Sequence, residues 1–156
     1  MTLSAKINLT RESASAKFHL ELDFNIPSDG ITALFGSSGS GKTSLLRCIA
    51  GLEENAVATI RFKNDLWQSH DHFLPTHERR IGLVFQRQNL FPHLSSRENI
   101  EFAEKRVNSS LDNLNVDSVI DNLEIEHLLN KYPGQMSGGE QQLVALARTL
   151  KSNPAL

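Results

Sequence analysis

The chain has 156 residues, a formal net charge of −2 and 39% apolar residues. That is enough chain to bury one sizeable core. The charge excludes a strongly basic nucleic-acid or membrane surface, and no apolar run approaches the roughly 18 residues of a membrane span. A single cysteine, Cys48, excludes an internal disulfide and favours a reducing compartment.

The first part of the chain reads as strands. Ile7 and Leu9 begin an alternation that Phe18, Leu20, Leu22, Phe24 and Ile26 continue at period two, the pattern of a half-buried strand. Pro27-Ser28-Asp29-Gly30 is turn chemistry. The apolar run at 31–35, bounded by glycines, predicts a strand buried on both faces, as in parallel sheets. A glycine-rich turn leads into a helix over Lys42–Ala50, with Leu45, Leu46 and Ile49 at helical spacing and Gly51 at its C-terminal cap. Val57–Phe62 predicts another strand, and 81–85 a second buried one. Beyond Pro92 the pattern is helical: Ser95 or Ser96 caps a segment through Glu98, Ile100 and Phe102, and 108–113 is polar loop. Residues 116–131 carry one or two short amphipathic helices, and a longer one follows Gly138-Gly139 to about Lys151.

Gly36-Ser37-Ser38-Gly39-Ser40-Gly41-Lys42-Thr43 matches G-x-x-x-x-G-K-[ST], placed between a predicted strand and a helix. The glycines let successive backbone N–H groups turn inward as an anion nest, and the helix N-terminus adds donors and partial positive charge. Lys42 would reach the β- and γ-phosphates of a nucleotide, and the Thr43 hydroxyl would coordinate Mg²⁺. Gly36 to Ser44 is therefore the predicted nucleotide-binding set. A dinucleotide fingerprint fails, because Ser44 stands where its third glycine is required. About 100 residues later, Ser137-Gly138-Gly139 opens the last predicted helix, again a design for approaching an anion closely.

With these two motifs in hand, the chain resembles the ATP-binding subunits of ABC transporters over essentially its whole length. Met136-Ser137-Gly138-Gly139-Glu140 resembles their signature motif, and Gln86, after an apolar run, resembles their Q-loop glutamine. The resemblance implies ATP and Mg²⁺ as cofactors, with Gln86 touching the metal and the attacking water. It implies a homodimer in which Ser137, Gly138 and Gly139 contact the ATP held by the other subunit. It further implies transmembrane permease subunits as partners, with the protein peripheral on the cytoplasmic face of the membrane and no nucleic-acid partner. Leu66-Trp67-Gln68-Ser69, the lead-in Leu74-Pro75-Thr76-His77-Glu78-Arg79-Arg80 and Phe91-Pro92-His93-Leu94 are most similar to molybdate importer ATPases. Sulfate, ferric-iron and polyamine importers share the last of these segments. A non-hydrolysing nucleotide-binding module and a soluble ABC ATPase are the other readings, the latter disfavoured by the short helical insert.

The sequence departs from the family pattern at several points. Glu140 replaces the usual glutamine and Leu143 the usual arginine; a carboxylate aimed at a γ-phosphate would repel it, so the expectation is a side chain turned away. Around 13–16, where an aromatic would stack on adenine, there is none. Phe18 is a weak candidate, read chiefly as core. None of the 18 acids ends a buried strand, where Mg²⁺ and the attacking water need them, and the switch histidine is absent. The expectation is a subunit truncated before the Walker B strand, inactive alone. His70-Asp71-His72 reads as a polar loop, Arg79-Arg80 as a solvated face, Cys48 as a small core residue and Asp121 as surface.

The expected fold is an α/β, P-loop NTPase of ABC type with an N-terminal antiparallel β subdomain and a helical insert, the C-terminal part of its core missing. The expected divisions are 1–86 (nucleotide-binding core), 87–135 (helical subdomain) and 136–156 (signature motif and following helix).

Overall fold

The computed structural model describes residues 2–13, 16–86, 89–104 and 116–156. The chain forms two compact units, Met1–Arg79 and Arg80–Leu156. The polar loop expected at 108–113 lies outside the described residues, as do residues 14–15 of the segment searched for an adenine-stacking aromatic.

The first unit is built on a four-stranded antiparallel sheet in the order β2-β1-β3-β4. Its strands are β1 (Thr2–Ser13), β2 (Ala16–Pro27), β3 (Val57–Phe62) and β4 (Asp65–Gln68). The expected period of two sets the register. Leu3, Ala5, Ile7 and Leu9 face Ile26, Phe24, Leu22 and Leu20 across β1–β2. On the other side Leu3, Ala5 and Ile7 face Phe62, Ile60 and Ala58 of β3. Shifting any strand by one residue would turn these side chains to water, so burial of one face locks the pairing. Ile7, Leu9 and Ile60 are at most 1% exposed, each stabilising the fold by about 1.5–3 kcal/mol. Strand β4 has no strong sequence signal of its own; a register shift at Ile60/Arg61 lets it pair with β3.

Helix α1 (Lys42–Ala50) buries Leu45, Cys48, Ile49 and Ala50. It ends as expected at Gly51, whose φ of 74° is the left-handed conformation glycine adopts without strain, while the Leu52 N–H donates to Arg47 O at 2.9 Å. Cys48 is a buried core residue, and burial first of all, then Glu53, pushes its thiol up to about 11.

Three sequence expectations need correction here. Residues 31–35 form no strand and are exposed, with Ile31 at 101%, Phe35 at 89% and Leu34 at 46%. A strand is buried on both faces only when other strands and helices flank it, and among the described residues none pairs with this one. Residues 81–85 likewise form no strand and are only half-buried. Arg80 O accepts from Ala155 N and Gly82 N donates to Leu156 O, and a Cβ on Gly82 would stand 2.5 Å from Thr149 Cγ2. Arg79, expected on a solvated face, is 3% exposed, whereas Arg80 is exposed. The Arg79 guanidinium donates to Leu74 O (2.8 Å), Cys48 O (3.2 Å), Ile49 O (2.7 Å) and Trp67 O (3.3 Å), and lies near the Trp67 and Phe73 rings. At the end of α1 this fork satisfies the Ile49 carbonyl and shares the Cys48 carbonyl with the Gly51 N–H.

The second unit is helical. Its helices are α2 (Ser96–Glu104), α3 (Val116–Asn122) and α4 (Gly138–Lys151), with 3-10 turns at Glu126–Leu128 and Pro133–Gln135 between α3 and α4. Their core gathers Leu90, Ile100, Val119, Ile120, Ile125, Leu128, Leu129, Met136 and Val144. Ser95 proves to be the cap of α2: its N–H donates to Glu98 Oε2 at 2.7 Å, and the Glu98 N–H donates back to Ser95 Oγ at 3.3 Å. Asn99, fully buried, accepts from Phe91 N (2.8 Å) and donates to Phe91 O (3.2 Å), Leu94 O (3.1 Å) and Ser95 O (3.0 Å), which holds the Phe-Pro-His-Leu loop in one shape.

Candidate functional site

In the first unit, residues 36–44 form a turn that runs into α1. Ser40 N donates to Ser37 O at 3.3 Å, and Leu45 N donates to Gly41 O at 2.8 Å, opening the helix. Gly41 has φ 94°, and a Cβ there would stand 2.9 Å from Leu20 Cδ1 and 3.1 Å from Phe18 Cζ. Glycine is thus required twice over, by dihedral and by space. Phe18 and Leu20 of β2 are the floor against which the turn closes. Phe18, half-buried and read from the sequence chiefly as core, belongs to this floor.

Lys42 folds back over the turn. Its ammonium donates to Gly36 O (2.8 Å), Ser37 O (2.7 Å) and Ser40 Oγ (3.3 Å), joining the two ends of the loop. The start of α1 is bare: Gly41 offers no capping side chain, and the first turn holds no acid. Its N–H groups and the positive end of the helix dipole are therefore open to an anion. Ser37, Ser38 and Thr43 are exposed around this opening.

In the second unit, Ser137, Gly138 and Gly139 are exposed at the start of α4. Here the helix is capped: Ser137 N donates to Glu140 Oε2 at 2.7 Å and Glu140 N donates to Ser137 Oγ at 3.3 Å. The Glu140 side chain curls back onto its own helix start, beside Ser137. The Ser137 N–H, then the Ser137 hydroxyl, then Lys131 hold the Glu140 carboxyl down at about 2. Gly138 and Gly139 lack positive φ, and a Cβ on either would meet nothing within 4 Å. Nothing among the described residues requires glycine there. Gln86 lies in this second unit and is exposed. Of the predicted residues, 36–44 lie in the first unit, and Gln86 and 137–139 lie at separate places in the sequence of the second.

Lys131 is the residue near these groups that sequence reasoning missed. Its Nζ is 3.3 Å from Glu140 Oε1. A separation of nine residues across a 3-10 turn matches neither the helix nor the strand period, so no sequence signal marks the pair. His70, Asp71 and His72 are exposed, and among the described residues no three His, Cys, Asp or Glu side chains are placed to hold a metal ion. No helix among them is long and apolar enough to cross a membrane.

These residues lie in a chain whose residues 20–156 match the ABC transporter family model, and the chain belongs to that family. Its α/β, P-loop fold is that of ABC ATPase cassettes: a dimeric post-hydrolysis structure of the ATP-binding cassette MJ0796 bound to ADP and Pi superposes with a TM-score of 0.77 at 28% identity, covering 99% of this chain and 71% of that one. Among curated proteins, the molybdenum import ATP-binding protein ModC 1 of Azotobacter vinelandii is 50% identical over 143 residues, 90% of this chain and 40% of the relative. ModC of Thiobacillus denitrificans is 50% identical over 139 residues, 89% of this chain and 38% of its own length. The chain therefore spans about 40% of the length of the curated relatives it matches.

Proposed function

We propose that this chain grips ATP and Mg²⁺ for an ABC importer ATPase, and that the subunit it serves couples ATP hydrolysis to molybdate uptake. One observation carries the reading. Helices α2 and α4 begin on Ser–Glu capping boxes, whereas α1 begins bare behind a glycine turn bridged by Lys42. A helix start left open beside an ammonium suits a polyphosphate, which supplies the missing acceptors and the negative charge. Residues 36–44 hold the phosphates, with Lys42 exchanging loop oxygens for the β- and γ-phosphate oxygens. Thr43 and Gln86 hold the metal, and Gln86 orients the attacking water. When bound, Mg²⁺ neutralises charge developing on the phosphates.

The open space around Gly138 and Gly139 supports a second ATPase subunit as partner: glycine in a first helical turn costs stability unless an outside group must come close. Ser137, Gly138 and Gly139 then meet the phosphate held by the other copy. The helical subdomain, with the loop fixed by Asn99, docks onto permease subunits at the cytoplasmic face of the membrane. The ModC relatives support molybdate as the cargo. The acids that would complete hydrolysis fall on no residue of this chain, so binding without turnover is expected of it alone.

The test is titration of the full chain with a fluorescent ATP analogue and Mg²⁺. Lys42→Ala should weaken binding at least tenfold. Equal binding by both proteins would refute the phosphate-grip assignment. The cargo is read from the complete transporter in membrane vesicles, whose ATP hydrolysis should rise with molybdate and its binding protein, and not with sulfate.

A further inference from the structure

At Glu140 the signature carries a full negative charge at a point where the proposed partner's phosphate must approach. The carboxylate is already committed on one side, since Oε2 accepts the Ser137 N–H at 2.7 Å. Its other oxygen, Oε1, is 3.3 Å from the Lys131 ammonium. Lys131 is itself placed from α2: its carbonyl accepts from both the N–H (2.9 Å) and the hydroxyl (3.0 Å) of Ser96, a residue with no exposed surface. The Ser96 hydroxyl also lies 3.4 Å from the sulfur of Met136, next to Ser137. The Pro133–Gln135 turn doubles the chain back so that Lys131 reaches the start of α4. Side-chain exposures of 39% for Lys131 and 28% for Glu140 make this a pair that adds little to folding. Its effect is on the local field, and an anion arriving at Ser137 is where that field is felt.

Resting on the reading that Ser137, Gly138 and Gly139 face a nucleotide phosphate, we propose that Lys131 is a positioning residue of the signature. It neutralises Glu140, so that the carboxylate can brace the Ser137 loop without repelling the phosphate. A glutamine at 140 braces the same loop through its amide oxygen and needs no such partner.

The experiment is Mg·ATP-driven self-association of the full chain, followed by sedimentation velocity, with nucleotide binding titrated alongside. Lys131→Ala should weaken association about tenfold, as expected for one uncompensated charge about 6 Å from a phosphate at an effective dielectric of about 40. Lys131→Arg should retain association. Lys131→Ala in a Glu140→Gln background should lose nothing relative to Glu140→Gln alone. That rescue separates a charge effect from packing, because a structural role for Lys131 would weaken association in both backgrounds and overturn the proposal. Lys42-dependent ATP binding together with association insensitive to Lys131→Ala overturns the proposal and leaves the phosphate grip standing. An unsubstituted chain that binds no ATP overturns both.

Discussion

Replacing Arg79 with methionine should destabilise the first unit by about 3 kcal/mol. The guanidinium donates to four backbone carbonyls, those of Leu74, Cys48, Ile49 and Trp67. A hydrogen bond from a charged donor contributes about 1.5–3 kcal/mol, so the gross loss lies at roughly 6–12 kcal/mol. Against it stands relief from burying a charge, several kcal/mol per ion, in a residue only 3% exposed whose pKa burial pulls below its ordinary value. Methionine also fills much of the vacated space against Trp67 and Phe73. The balance of about 3 kcal/mol should lower a melting midpoint by more than roughly 10 °C. Trp67, the single tryptophan, lies with its ring 5.7 Å from Arg79 Cζ and reports the transition by fluorescence. Arg79→Lys keeps the charge and loses the fork, so it should cost nearly as much. A midpoint within 2 °C of the parent for both variants would refute the claim that this residue holds the end of α1.

Gly41→Ala should cost about 2–3 kcal/mol and abolish nucleotide binding, since the new Cβ meets Leu20 at 2.9 Å on top of a φ of 94°. Gly39→Ala, at φ 80° in open space, should cost only about 1 kcal/mol by the same melts. Gly138→Ala should stabilise the helical unit by about 0.5–1 kcal/mol, seen by circular dichroism, while weakening ATP-driven association more than tenfold. Glu140, with its folded carboxyl held at about 2, contributes stability at pH above the ordinary carboxylate value of 4.5 and loses it as pH falls towards 2. Glu140→Gln should flatten the acid arm of the stability–pH curve of the second unit, and an unchanged acid arm would contradict the Ser137–Glu140 cap.

Local patterns were legible where the residue itself carries the physics. The alternation in β1 and β2, the Gly51 cap and the start of α4 each follow from period or from chain-local hydrogen bonding. The phosphate turn is readable for the same reason, since its glycines are demanded by dihedral and its lysine by charge. The failures share a cause. Residues 31–35 and 81–85 have the composition of buried strands, yet a strand is completed by partners that composition does not name. Arg79 looks like surface because arginine usually is, and four backbone carbonyls together with two aromatic rings make its burial tolerable.

The sequence by itself determined the family and the residues around the two glycine-rich helix starts, because motif spacing and short-range periodicity act within a few residues. The tertiary structure alone decided that Gly41 rests on Phe18 and Leu20, that Arg79 is an internal clasp, and that Lys131 pairs with Glu140. Each of these joins residues far apart or out of register with any regular period, and such contacts exist only once the chain has packed.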